Sequence, residues 1–207
     1  FRRLFAEGAI NNALIPTYID IKKKINKKQS QIFSGYVLIY LIIVLVLIIV
    51  LSEIFMADII KLLAPGFSSE LLEKTIFLAS IMFPYLFLIS TSSFFAALLN
   101  ANGRFALWAF SPIILNLGMI CAMGASYYLN LITELFLAWS VIISGFIQLF
   151  IILFWTRVKH IKVILKRPRL TNNVKKFLKL FLPNIMAGGI LQINQFVGVI
   201  FASSITG

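Results

Sequence analysis

Long runs without a charged side chain dominate the sequence. Five of them are long enough for a helix to cross a bilayer, which needs about 20 apolar residues. These runs are Gln29–Ser52, Thr75–Gly103, Phe105–Thr133, Leu135–Thr156 and Leu180–Gly207. A shorter run, Gly8–Ile19, has the character of the end of a further helix. The hydrophobic pattern therefore predicts a bundle of membrane-spanning helices.

The stretch Ile39–Leu51 decides between helices and strands. It consists almost entirely of Ile, Leu and Val, without alternation of polar and apolar positions. The strands of a membrane barrel would alternate over about 10 residues, whereas a helix satisfies its own backbone hydrogen bonds inside lipid. We therefore predict an all-α, polytopic membrane protein. Its helices are expected at about residues 1–20, 31–54, 74–99, 105–128, 134–156 and 177–207.

Basic residues are concentrated in alternate gaps between the predicted helices. The first gap holds five lysines, the third holds Arg104, and the fifth holds nine basic residues between Arg157 and Lys179. The second gap holds only Lys61 and Lys74, and the fourth holds none. Because basic residues mark the cytoplasmic side, we predict that the odd gaps lie inside and the even gaps outside. The net charge of +12 is therefore mainly a topology signal, which also favours anionic lipid headgroups.

Composition narrows the class of protein further. Of the 207 residues, 60% are apolar and 13% are charged, whereas about 25% are charged in an ordinary soluble domain. An ordinary cytosolic enzyme, a disordered chain and a disulfide scaffold are therefore excluded. The single cysteine, Cys121, and the single histidine, His160, offer no disulfide within the chain and no metal-ligand spacing. Since no triad, P-loop or paired-carboxylate site is recognisable, we expect no enzymatic chemistry, no metal and no cofactor.

The basic segment 157–179 admits two structural interpretations. Val158, Ile161 and Leu165 recur at helical spacing between cations, which favours a short interfacial helix that Pro168 would end. A plain solvated loop explains the same residues. Nucleic-acid binding is the functional alternative for such a charge, but a juxtamembrane loop is the common reason for it, and we expect no nucleic-acid partner.

The first eight residues carry the two arginines that topology does not explain. If the first helix is continuous, Arg2 lies about 27 Å from Asp20 along the helix and hence inside the membrane. Arginines at that depth usually face a bundle interior or a watery cavity. Arg3 and Glu7 are spaced i,i+4 and can pair on one face, which leaves Arg2 free to offer bidentate donors to a phosphate. In the alternative interpretation this segment is an outer loop and both arginines snorkel.

Prolines and amides interrupt several of the predicted helices. Pro84, Pro112 and Pro183 can bend a helix, as a rocking transporter requires, although proline is also simply frequent in membrane helices. Gln148 lies within an apolar run, where a helix-to-helix hydrogen bond is the expected role. Arg104 follows a predicted tight turn at Asn100–Gly103. We expect its side chain at the level of the lipid headgroups, with a gating role as the alternative.

Four stretches of the chain resemble a known family. FRRLFAEGAINNALIP is similar to the end of the second helix in the MurJ (MviN) family, bacterial lipid II flippases of the multidrug/oligosaccharidyl-lipid/polysaccharide exporter superfamily. LAPGF, FPYLFLISTSSFFAALLNANGRFALWAFSPIILNLGMI and LFLPNIMAGGILQINQFV resemble later blocks in the same order. The resemblance implies that residues 1–207 form part of the N-lobe of a two-lobed transporter of about 14 helices. The chain, which opens on Phe1, is then a fragment, and the remaining helices of the full-length protein are its partners.

The resemblance also implies a function and a site. Such flippases carry undecaprenyl-diphosphate-linked disaccharide-pentapeptide from the inner to the outer leaflet of the bacterial cytoplasmic membrane by alternating access. Arg2 matches a cavity arginine of the family, and Arg3 and Glu7 match neighbouring positions that support the cavity wall. Gly198 stands where the family often has an Asp implicated in sodium binding, so coupling to an ion or to the membrane potential stays open. The alternatives are another exporter of the superfamily, for O-antigen-type lipids or drugs, and a truncated membrane fragment without function.

Overall fold

The computed structural model describes residues 9–104 and 111–206. All regular secondary structure in these two ranges is helical, which confirms the predicted all-α fold for this part of the chain. In chain order the helices are α1 (Ile10–Lys24), α2 (Lys27–Ile54), α3 (Met56–Leu63), α4 (Ser69–Met82), α5 (Tyr85–Ala101), α6 (Ser111–Leu129), α7 (Thr133–Val158) and α8 (Asn172–Thr206).

Four helical segments in the described part of the chain are long and apolar enough to cross a membrane. They are α2, the combined segment Ser69–Ala101, α6 and α7. Helix α2 contains the predicted range 31–54 and begins before it. Helix α7 contains the predicted range 134–156 and extends beyond it at both ends. Helix α8 overlaps the predicted range 177–207 and contains Pro183.

Pro84 divides one predicted helix into two. Helix α4 ends at Met82 and α5 begins at Tyr85, where the pattern predicted a single helix over 74–99. Proline lacks a backbone N–H and its ring clashes with the preceding turn, so the helix is interrupted at this point. The structure also places α3 in the second gap, where no helix was predicted from the sequence.

The core forms around α1. Its Ile10, Leu14 and Tyr18 side chains are almost fully buried and pack in one cluster with residues of α2, α5 and α8. On the far side of α5 lies α7, which in turn packs against α6. Gly145 of α7 and Gly118 of α6 lie at these two contacts, and small residues of this kind let membrane helices approach closely. The helix that continues from the arginine motif is therefore the central one of the cluster.

Polar contacts bring the odd-numbered gaps together at one end of the bundle. Lys22 Nζ donates a hydrogen bond of 2.7 Å to Asn102 Oδ1, which joins the first gap to the third. Lys176 Nζ pairs with Asp20 Oδ2 at 2.6 Å, which joins the end of α1 to the start of α8. This hydrogen bond from Lys176 and its positive charge lower the pKa of the Asp20 carboxyl.

The even-numbered gaps meet at the other end. Lys74 Nζ and Glu134 Oε1 form an ion pair of 2.8 Å between α4 and α7. The odd and even gaps therefore lie at different ends of the bundle, which confirms the alternation that the charge pattern predicted.

We expect the two ends to react differently with a membrane-impermeant maleimide. In a Cys121→Ala background, Glu70→Cys should be labelled in right-side-out membrane vesicles, because Glu70 is exposed at the even-gap end. Lys162→Cys should be labelled only after the membrane is opened with detergent, because the basic gaps lie inside. The background protein without cysteine is the control, and labelling of Lys162→Cys in sealed vesicles would contradict the orientation.

Candidate functional site

The predicted site residues Arg2, Arg3 and Glu7 lie outside the described residues. Their roles therefore stay predictions. The structure describes the helix that follows them directly, from Ile10 onwards, and hence the surroundings into which the motif leads.

Helix α1 presents two asparagines next to this motif. Asn12 is exposed and its Nδ2 donates a hydrogen bond of 3.3 Å to Asn184 Oδ1 of α8. Asn184 in turn donates to the carbonyl of Leu180 at 2.7 Å, so its amide is held in place. The first and last described helices are thus joined by a polar contact. Sequence reasoning missed this pair, although the position of Asn184 directly after Pro183 in an apolar run was an available signal.

Unpaired polar atoms are buried on both sides of the contact between α1 and α5. Within the described part of the chain, Asn11 Oδ1, Ser90 Oγ and Thr91 Oγ1 are buried without a hydrogen-bond partner. An unsatisfied buried polar group costs about 1–3 kcal/mol, and such groups in a native structure call for an explanation such as water or a ligand. Asn11 belongs to α1, and Ser90 and Thr91 belong to α5, which packs against α1.

A separate hydrogen-bond network ties three helices together. Gln148 of α7 is 4% exposed, and its Nε2 donates to the Ser111 carbonyl at 3.0 Å. Its Oε1 accepts hydrogen bonds from Ser111 Oγ at 3.0 Å and from the Tyr85 hydroxyl at 3.4 Å. The helix-to-helix role predicted for Gln148 is confirmed, and this amide is structural and not part of the candidate site.

An apolar groove of about 730 Å³ runs between α6 and α7. Leu117, Trp139 and Ile143 are among its lining residues, and Cys121 also lies there with its side chain exposed. The groove offers almost no polar group, so it has the character of a surface for acyl chains or a neighbouring helix and does not fit a headgroup.

The basic loop after α7 does not form the interfacial helix that the spacing of its apolar residues favoured. Residues 159–171 contain no helix, because Ile161 and Val163 pack against the core cluster and do not face lipid. The Ile164 N–H donates to the Gln31 carbonyl at 3.1 Å, which fixes the loop along α2. The segment is therefore neither an interfacial helix nor a plain solvated loop, but a loop packed against α2, which we call the docked loop.

Known proteins share the sequence pattern and the fold of this chain. The family model described as "Lipid II flippase MurJ" matches residues 1–207. A probable lipid II flippase MurJ of Rhizobium tropici is 37% identical to this chain, and the match covers 98% of this chain and 39% of that protein. A probable lipid II flippase MurJ of Rickettsia prowazekii is 36% identical, and the match covers 100% of this chain and 41% of that protein. A solved structure, lipid II flippase MurJ in an inward closed conformation, has a TM-score of 0.75 and 26% identity, covering 98% of this chain and 41% of that one.

The chain spans about two fifths of the length of these relatives. The family model nevertheless covers it from the arginine motif to its last residue, and the fold agrees with that of the solved flippase over nearly all of it. On this evidence the chain belongs to the MurJ family of lipid II flippases.

Proposed function

We propose that the protein to which this chain contributes moves lipid II across the bacterial cytoplasmic membrane. Its cargo is undecaprenyl-diphosphate-linked disaccharide-pentapeptide, and the direction is from the inner to the outer leaflet, for peptidoglycan and cell-wall synthesis. The observation that carries this proposal is the match of the family model across all 207 residues, the arginine motif included.

The mechanism is alternating access between two lobes, of which these helices form part of one. The diphosphate pairs with Arg2, whose planar guanidinium suits it, while Arg3 and Glu7 support the wall of the cavity. The lipid tail stays in the bilayer. No covalent bond is made or broken, so the protein is a transporter and not an enzyme.

Two prolines support a rocking motion. Pro84 separates α4 from α5, and Pro183 lies inside α8. Each proline frees a backbone carbonyl one turn earlier and provides a point at which a helix can change its angle. Such points are common in transporters whose two repeats move against each other.

A segment exchange tests the proposal. Residues 1–207 would replace the corresponding segment of the Rhizobium tropici relative, and the exchanged protein would be expressed in cells depleted of their own flippase. We expect growth and normal surface exposure of lipid II, whereas residues 1–207 alone should restore neither, because two lobes are needed to enclose a cavity. If the exchanged protein inserts in normal amount but leaves lipid II on the inner leaflet, the proposed function is wrong.

A further inference from the structure

A polar pocket of about 210 Å³ lies at the odd-gap end of the bundle. Its polar lining comes from four separate parts of the chain, of which α1 provides Tyr18. The start of α2 provides Lys27 and Gln31, the turn after α5 provides Asn102 and Arg104, and the end of α7 provides Lys159 and His160. At about 30 Å³ per water molecule, the pocket has room for roughly seven waters or for a phosphate group.

The charge in this pocket is unbalanced. Lys27, Arg104 and Lys159 line it together, and no carboxylate is among the lining residues. None of the three forms an ion pair with a carboxylate in the described part of the chain. Lys159 Nζ lies 5.4 Å from the centre of the Trp155 ring, a contact that holds the ammonium group without neutralising it. Three positive charges therefore share one small cavity.

Neutral donors accompany these charges. Gln31 is only 9% exposed and lines the pocket. Asn102 is fixed at the wall, because its Oδ1 accepts from Lys22 and its Nδ2 donates to the Leu98 carbonyl at 2.8 Å. The Gln31 amide can therefore add neutral N–H donors to those of the three cations.

The backbone holds two of the cations in place. Gly103, two residues after the end of α5, has a φ of +77°, and the Arg104 N–H donates to the Leu99 carbonyl at 3.0 Å. His160, two residues after the end of α7, has a φ of +51°, and the Ile161 N–H donates to the Thr156 carbonyl at 3.1 Å. Both are left-handed helix ends of the Schellman type. Glycine adopts that conformation freely and histidine only at a cost, so the turn that positions Lys159 is held by its surroundings.

Two general effects explain why cations occur at this end of the bundle, but not why they converge. Basic residues accumulate on the cytoplasmic side, and the C-terminal ends of helices stabilise positive charge. Both effects are satisfied by side chains that spread into solvent, as Lys162 and Lys166 do. Convergence of three cations from distant segments on one cavity costs mutual repulsion, which a bound anion would relieve.

We propose that this pocket binds a phosphate group. The bound group is either the headgroup phosphate of an anionic phospholipid of the inner leaflet or a free phosphate ion. Tyr18, towards the C-terminal end of α1, lines the pocket, whereas Arg2, Arg3 and Glu7 precede α1 in the sequence. The proposed phosphate site therefore shares no residue with the predicted transport site.

The test uses the complete protein in vesicles of phosphatidylcholine, with or without phosphatidylglycerol. The triple variant Lys27→Gln, Arg104→Gln, Lys159→Gln removes the three positive charges that line the pocket. We expect association of labelled phosphatidylglycerol to fall at least about tenfold if the ligand is a lipid headgroup. If the ligand is the free ion, inorganic phosphate in phosphatidylcholine alone should raise the melting temperature above that in chloride at equal ionic strength, and the triple variant should lose this shift.

The control changes the same net charge outside the pocket. Lys162→Gln, Lys166→Gln, Arg167→Gln removes three exposed cations of the same loop and should leave both measurements unchanged. Arg104→Gln alone, at an exposed position, should weaken binding about threefold or more without endangering the fold. The proposal is overturned if neither probe distinguishes the pocket variants from the unchanged protein, or if the control triple loses as much binding as the pocket triple.

Discussion

Arg2→Ala, made in the complete protein, should abolish delivery of lipid II to the outer leaflet while the protein still inserts into the membrane. The i,i+4 spacing of Arg3 and Glu7 predicts that these two pair and that Arg2 stays available. A charge-assisted hydrogen bond to a diphosphate is worth about 1.5–3 kcal/mol. That loss corresponds to roughly a 10- to 100-fold weaker hold on the headgroup. A leaflet-accessibility assay for lipid II measures the effect, and the amount of protein in the membrane fraction is measured beside it.

Two further variants separate the geometry of this arginine from its charge. Arg2→Lys keeps the charge but removes the planar, bidentate donors, and it should fail as well. Arg169→Ala, at an exposed position of the cytoplasmic loop, removes an arginine without touching the motif and should transport normally. Normal flipping by Arg2→Ala would show that the motif does not hold the substrate.

The membrane helices could be predicted from sequence where hydrophobicity alone decides. Helix α2 was recognisable because its apolar run is continuous, and lipid leaves a backbone no alternative to helix. The break at Pro84 was harder to predict, because a proline in a membrane helix either bends it or ends it, depending on what its neighbours satisfy. Helix α3 lies at the surface between two spans, where no strong pattern distinguishes a short helix from a turn.

The basic loop shows a second limit of predicting structure from the spacing of apolar residues. Ile161 and Leu165 share a helical spacing, yet Ile161 packs on the core while Leu165 is exposed. The deciding contact is between the loop backbone and α2, at Gln31 and Gly35, which no local pattern could indicate. The same reason explains why the cationic pocket was not foreseen: its cations belong to three gaps that only the fold brings together. The arginine motif, in contrast, is continuous in sequence and was recognised by resemblance.

Gly35→Ala should release the docked loop from α2. A Cβ atom at Gly35 would collide with the carbonyl carbon and oxygen of Ile164, and these are backbone atoms that cannot rotate away. Overpacking of this kind costs about 1–3 kcal/mol, so the population of the undocked loop should rise about 5- to 100-fold. Tryptic cleavage at Lys162 or Lys166 in inside-out vesicles should accelerate accordingly, because proteolysis follows the population of the open state when opening is fast.

Gly124→Ala is the matched control for this prediction. It is the same substitution in another membrane helix, α6, where a Cβ atom meets nothing within 4 Å, so cleavage of the loop should keep its original rate. Gly35→Ala should also weaken phosphate binding, because the loop that is displaced carries Ile161 and follows directly on His160 at the edge of the cationic pocket. Equal cleavage rates for the two alanine variants would show that the contact between Gly35 and Ile164 does not hold the loop. Faster cleavage of Gly35→Ala with unchanged phosphate binding would show instead that the pocket is formed by the helix ends alone.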